Sequence, residues 1–186
     1  APGLAVLDTI ASHQSNADAV IIAAFGAPGL TAARDLFALP VVGMAEAAVM
    51  SAAMLGERFS VVTFSPYMSR WYTDCVLQTG LGARFTGVRC PAEPPESLDD
   101  VATALRQDLI NLASEATSLD GADVVIMGGA PLAGLAPVIA QDTPGILIDP
   151  IAAATVQALA LARLESSYHH RPNRPAPKAS TGLGPN

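Results

Sequence analysis

The chain of 186 residues is apolar and acidic, with 51% hydrophobic residues, 15% charged residues and a net charge of −7. This composition excludes a disordered chain, and no segment reaches the about 18 uninterrupted apolar residues of a membrane-spanning helix. The last sixteen residues contain three cations and no acid, which leaves −10 on the remainder and argues against a nucleic-acid partner.

Short apolar segments alternate with helical segments along the chain, beginning with a helix at about 4–13. The clearest later helix follows Ser97, a predicted N-cap with Asp100 three residues on, and runs to about Ala116. A further helix is predicted over Met68–Thr79. Apolar, β-branched runs bounded by Gly, Pro or Asp predict strands at Asp18–Ala24, Pro40–Met44, Phe59–Thr63, Phe85–Cys90, Asp123–Met127 and Gly145–Asp149. This alternation predicts an α/β fold with parallel sheets covered on both faces.

An internal repeat relates two parts of the chain. Residues 18–30 match residues 123–135, with a Gly and a Leu in register, and Pro40–Ala45 matches Pro144–Asp149 at an offset of 104. Chance likeness between two strand–helix units is the alternative explanation.

The repeat predicts two pseudo-symmetric lobes. Residues 1–56 with a closing helix at 151–165 form the first, residues 57–150 form the second, and 166–186 form a flexible tail. Two strands and two helices precede the repeat in the second lobe only. We therefore expect that about 47 residues are missing before Ala1 and that the chain is N-terminally truncated.

Three loops at the carboxyl ends of predicted strands are candidate ligand sites, at 23–29, 63–67 and 128–131. Their small residues let backbone N–H groups approach an anion such as a carboxylate, and the repeat favours a cleft between the lobes. Tight packing of strand against helix is the alternative for each loop. The candidate substrate-binding residues are Phe25, Gly26, Thr63, Ser65, Gly128 and Ala130.

Five segments in order carry a resemblance to a known family. The sequence resembles the aspartate/glutamate racemase superfamily, in particular its hydantoin racemase branch. The segments are IIAAFGAPGL (21–30), LPVVGMAEAA (39–48), ERFSVVTFSP (57–66), VVIMGGAPLAGLA (124–136) and ILIDPIAAA (146–154). The resemblance implies two flavodoxin-like lobes, a ligand cleft between them and a cofactor-independent isomerase. The family normally opens with a strand and an Asn-rich loop that this sequence does not contain.

The resemblance also implies a pair of cysteines, one per lobe, that move a proton on opposite faces of the substrate α-carbon. Their positions fall on Ala24 and Gly129, so the two-thiol mechanism cannot run here. Glu46 and Asp149, near the ends of strands, are the candidate bases that remain. A helix-dipole contact for Glu46 and an N-cap for Asp149 are the alternative roles.

Few residues of this sequence could bind a metal ion or form disulfides. Cys75 and Cys90, with His13 as the one histidine of the body, predict no metal site and no disulfide framework, and both thiols are expected to be structural. We expect a cytoplasmic racemase or epimerase that needs no cofactor and acts on a small carboxylate or hydantoin, with a second copy of the chain as a candidate partner in a homo-oligomer. A non-catalytic binding protein of the same fold and a decarboxylase of the same superfamily are the alternatives.

Overall fold

A computed structural model describes residues 2–95, 97 and 101–164 of the chain. The predicted tail at 166–186 and the partner of the Ser97 cap, Asp100, lie outside the described residues. Among those described, no helix has the length and apolar character needed to cross a membrane.

Helices and strands alternate as the sequence indicates. The strands are β1 Val20–Ile22, β2 Val41–Gly43, β3 Phe59–Thr63, β4 Phe85–Arg89, β5 Val124–Gly128 and β6 Ile146–Ile148. The helices are α1 Pro2–His13, α2 Leu30–Leu36, α3 Met44–Leu55, α4 Ser69–Gln78, α5 Val101–Ala104, α6 Arg106–Ser118, α7 Leu135–Ile139 and α8 Pro150–Arg163. All six predicted strands are present, most of them shortened at one or both ends.

The strands form two parallel sheets. One pairs β1 with β2, and the other has the order β4-β3-β5-β6. Every residue of β3 and β5 is buried, which explains why these strands read as continuous apolar runs rather than alternating ones. Their carboxyl ends meet at one edge, where Thr63 pairs with Gly128.

The internal repeat is visible in the backbone. Gly29 and Gly134 both adopt a left-handed conformation with φ of 80° and immediately precede α2 and α7, which explains why both copies carry glycine there. The predicted match between β2 and β6 is wrong by two residues. Val20 pairs with Val41 and Val125 pairs with Leu147, so Val41 corresponds to Leu147 rather than to Gly145. A turn at Ala140–Asp142 lengthens the second copy before β6.

Helix α3 lies between the two sheets. Its small residues belong to two hydrophobic clusters: Ala45, Ala48, Val49 and Ala52 pack with Phe59 and Val124, whereas Ala47 packs with Val42 and Ala154 of α8. Small side chains allow this close approach on both faces of one helix.

The long helix predicted after Ser97 is interrupted. Leu105 separates α5 from α6 with φ of −101° and ψ of 11°, outside the helical region. The segment predicted as Met68–Thr79 is confirmed as α4, which follows a short 3₁₀ turn at Pro66–Met68.

Candidate ligand site at the carboxyl edges of the sheets

The two loops related by the repeat meet on either side of one tyrosine. The Phe25 ring packs edge-on against the Tyr72 ring with centroids 4.5 Å apart. On the other side, a Cβ atom placed on Gly128 would lie 2.9 Å from Tyr72 Cε1, and one on Gly129 would lie 3.2 Å from Tyr72 Oη. Tyr72, which sequence reasoning missed, therefore joins the loop after β1 to the loop after β5.

Trp71 closes the loop after β1. Its ring lies 6.1 Å from that of Phe25 and 5.2 Å from that of Tyr72. A Cβ atom on Gly26 would lie 2.7 Å from the Trp71 ring, so only glycine fits against the indole at this position. Phe25 and Tyr72 are buried and Trp71 is 38% exposed.

The two positions that the resemblance assigns to cysteines differ in their surroundings. Ala24 is exposed, two residues beyond the end of β1. Gly129 directly follows β5 with φ of 125°, a conformation that residues with side chains rarely adopt. A Cβ atom there would lie 2.5 Å from Phe64 Cε1. A cysteine at this position therefore requires both a strained backbone and a displaced Phe64 ring.

The hydroxyl groups of the loop after β3 are buried. Thr63 is fully buried, and among the described residues its Oγ1 has no hydrogen-bond partner. Ser65 is 7% exposed and begins the 3₁₀ turn at Pro66. Burial raises the pKa of the Tyr72 phenol, and the neighbouring Thr63 hydroxyl offsets part of that rise.

Glu46 is paired with Arg34, a residue that no sequence pattern singled out. Arg34 Nη2 lies 2.6 Å from Glu46 Oε2, and Arg34 Nε donates to the carbonyl of Val41 at 2.9 Å. Glu46 also lies in the first turn of α3, so the helix-dipole role is present. Its catalytic role stays a prediction.

Asp149 is the N-cap of α8, as the alternative from sequence stated. Its Oδ1 accepts hydrogen bonds from the N–H groups of Ile151 and Ala152, and its Oδ2 accepts one from that of Gly134. Both carboxylate oxygens thus accept hydrogen bonds from backbone N–H groups, and Asp149 links the start of α8 to the start of α7. A role for Asp149 as a base stays a prediction.

An open cleft of about 700 Å³ lies beside the loop after β1. It contains Glu46 but neither Asp149 nor the hydroxyl loop after β3, so the predicted site residues do not share one cavity. Its lining is Phe25, Gly26, Ala27, Pro28, Gly29, Leu30, Thr31, Ala32, Arg34, Ala45, Glu46, Cys75, Gln78 and Thr79.

The two thiols lie on different elements, and a structural role for both stays a prediction. Cys75 is 8% exposed, and burial, reinforced by the Asp74 carboxylate, raises its pKa, so the side chain is protonated at neutral pH. Cys90 follows β4, with its Sγ 3.3 Å from Ser69 Oγ. Across the part of the chain that the structure describes, no group of three His, Cys, Asp or Glu side chains could hold a metal ion.

A family model described as Asp/Glu/Hydantoin racemase matches residues 1–158. The chain belongs to the Asp/Glu/hydantoin racemase family. It is 32% identical to a hydantoin racemase of Paenarthrobacter aurescens over 154 residues, or 83% of this chain. The chain spans 57–65% of the lengths of three hydantoin racemases that it matches.

Two solved structures share the α/β fold of this chain. An allantoin racemase from Klebsiella pneumoniae superposes with a TM-score of 0.80 at 30% identity, covering 97% of this chain and 75% of that one. Unliganded arylmalonate decarboxylase superposes with a TM-score of 0.62 at 21% identity, covering 85% of this chain and 76% of that one, a likeness of fold alone.

Proposed function

We propose that this chain binds a hydantoin or a related small amino-acid derivative and exchanges its α-proton, as a racemase does, without cysteine catalysts. Membership of the Asp/Glu/hydantoin racemase family supports the reaction class. The relatives and structural neighbours named hydantoin racemase and allantoin racemase support the substrate class.

The observation that carries this proposal is the position of Glu46 in the cleft beside the loop after β1. Racemisation needs a base within hydrogen-bond reach of the α-proton. The Arg34 guanidinium fixes the orientation of the Glu46 carboxylate, with Nη2 2.6 Å from Oε2. Gly26 and Gly29 line the same cleft as Glu46.

Binding of such a ligand without turnover is the second candidate. It is favoured by the surroundings of Gly129, where the Phe64 ring and the Tyr72 hydroxyl occupy the space that a thiol side chain would need. It is also favoured by Asp149, whose two oxygens both accept backbone hydrogen bonds. The decarboxylase alternative has no such support, because 21% identity to arylmalonate decarboxylase reflects fold alone.

Deuterium exchange separates these candidates. The protein is incubated in D₂O with single enantiomers of 5-substituted hydantoins and of amino acids, and proton NMR and optical rotation are followed against a protein-free blank. Exchange at the α-carbon with loss of optical rotation supports the racemase. Saturable binding by calorimetry without exchange supports the binding protein. In a parallel incubation with an arylmalonate, release of carbon dioxide supports the decarboxylase.

Replacing Glu46 tests the proposed base. Because a positioned base contributes about 10²–10⁴-fold to rate, we expect Glu46→Gln to slow α-proton exchange by at least about 100-fold while ligand affinity changes little. The matched control is Glu57→Gln, at an exposed residue outside the cleft. Equal exchange rates in the two variants would remove Glu46 from the mechanism but leave the proposed reaction standing.

A further inference from the structure

The cleft beside the loop after β1 has few polar side chains among the described residues that line it. Most of its lining is small or apolar, at 25–30 and at Ala45. Ligand sites of this kind derive their specificity from a small number of well-placed polar groups. The polar side chains of the lining belong to Thr31, Arg34, Glu46, Cys75, Gln78 and Thr79.

Four of these side chains already have partners or form only weak hydrogen bonds. Arg34 and Glu46 pair with each other, and both Glu46 oxygens take part. The Thr79 hydroxyl donates its proton to the carbonyl of Val76 at 2.7 Å. Cys75 is buried, and a thiol is a weak hydrogen-bond donor. None of the four therefore offers a ligand a strong donor beside an acceptor.

Gln78 differs from these four side chains. It is the last residue of α4, it is exposed, and within the described part of the chain its carboxamide makes no hydrogen bond. Thr31, in the first turn of α2, is also exposed, but its hydroxyl carries donor and acceptor on a single atom. A carboxamide carries them side by side on two atoms, so it can bond two neighbouring groups of a ligand at once.

We propose that the Gln78 carboxamide recognises neighbouring N–H and C=O groups of a hydantoin-like ring by two hydrogen bonds. The inference rests on the proposed function and adds the residue that selects a cyclic ureide over a free amino acid. The ring holds N–H and C=O groups cis to each other, whereas an amino acid has an ammonium group and a carboxylate. Gln78 ends α4 and Glu46 lies in the first turn of α3, so recognition of the ring and removal of the α-proton come from different walls of one cleft.

N-methylated ligands test this contact. Calorimetry gives the affinities of a 5-substituted hydantoin and of its N1-methyl and N3-methyl derivatives for the wild type and for Gln78→Leu. We expect Gln78→Leu to weaken binding of the parent hydantoin by about 5- to 30-fold, because two neutral hydrogen bonds at an exposed site are lost. One methyl derivative should bind the wild type at least about 5-fold more weakly than the parent but bind Gln78→Leu as the parent does. A methyl group that merely clashes with the cleft would weaken binding to both proteins.

Two further variants separate the amide contact from general effects. Gln78→Glu keeps an acceptor and loses the N–H donor, so it should weaken binding of the parent hydantoin and remain sensitive to N-methylation. Gln107→Leu is the matched control, because Gln107 is exposed on α6 outside the cleft, and it should bind all three ligands as the wild type does. Circular dichroism and thermal unfolding check that each variant is folded.

The outcomes separate this inference from the proposed function. If the wild type binds the hydantoin and Gln78→Leu binds it equally well, or loses the same factor with all three ligands, the inference is overturned and the proposed function stands. If the wild type binds without α-proton exchange but N-methylation and Gln78→Leu are coupled, recognition by Gln78 is supported in a binding protein. If the wild type neither binds nor exchanges any tested hydantoin, both are overturned.

Discussion

Gly129 has a backbone conformation and a packing environment that both demand glycine. Its φ of 125° is unfavourable for any other residue, and a Cβ atom would approach the Phe64 ring to 2.5 Å. Phe64 and Tyr72 fill the space beside the glycine, so a side chain at position 129 would affect all three residues.

Replacing Gly129 with alanine should lower the free energy of unfolding by more than about 2 kcal/mol, since backbone strain of about 1–3 kcal/mol adds to the contact with Phe64. Gly80→Ala is the control, because Gly80 has φ of 80° but no atom within 4 Å of a Cβ position. Urea unfolding measures both variants. An equal loss for the two would mean that the Phe64 ring moves away without cost.

Stability should fall in alkaline solution because of Cys75. Burial raises the folded-state pKa of this thiol, so the unfolded chain releases the proton first, from about pH 8.5 upward. This contribution is fully present below that pH and is lost as the pH rises through the folded-state pKa. The Tyr72 phenol adds a loss of the same sign above about pH 10.

The measurement is the slope of unfolding free energy against pH between 8 and 10, in the wild type and in Cys75→Ala. We expect the variant to have the shallower decline, whatever its absolute stability. Cys90 is present in both proteins, so its contribution cancels. Parallel slopes would show that Cys75 ionises as freely in the folded chain as in the unfolded one.

Among the elements, α8 depends most on a single side chain. Asp149 caps it through the N–H groups of Ile151 and Ala152 and also holds Gly134 at the start of α7. One residue therefore fixes the beginnings of two helices, α7 and α8.

Asp149→Ala should destabilise the protein by about 1–2 kcal/mol, the usual cost of losing an N-cap. Asp149→Asn should lose less, because the amide oxygen can still accept from the helix. Asp18→Ala, at an exposed residue, is the control for charge. Chemical unfolding ranks the stabilities of the three variants. If Asp149→Asn is as stable as the wild type but no longer exchanges the α-proton, Asp149 is instead a base.

The elements were predictable where local chemistry determines them. The runs 59–63 and 124–128 are β-branched and apolar, and they are buried strands; Asp149 before Pro150 predicts the cap that is present. The break at Leu105 was not predicted because the helical spacing of apolar residues continues through it. The register of β6 was not predicted because the repeat was aligned on strand residues alone, and that alignment does not detect the additional turn before β6.

At the scale of the whole molecule, the sequence predicted the two-lobe α/β fold but not which residues meet between the loops. Tyr72 lies on α4, where periodicity indicates only a buried face, and its contact with Gly129 joins positions far apart in the chain. The ion pair of Arg34 with Glu46 likewise depends on how α2 packs beside α3. Such contacts follow from tertiary packing, which local patterns do not encode.

The packing around Gly129 also constrains the order in which mutations can accumulate. A change of this glycine to cysteine meets the Phe64 ring and an unfavourable φ at once. A smaller side chain at 64 and a different loop backbone would have to arise first, and neither introduces a thiol by itself. A thiol can therefore be introduced at position 129 only by coordinated changes at several positions, each of which carries its own cost before the thiol is present.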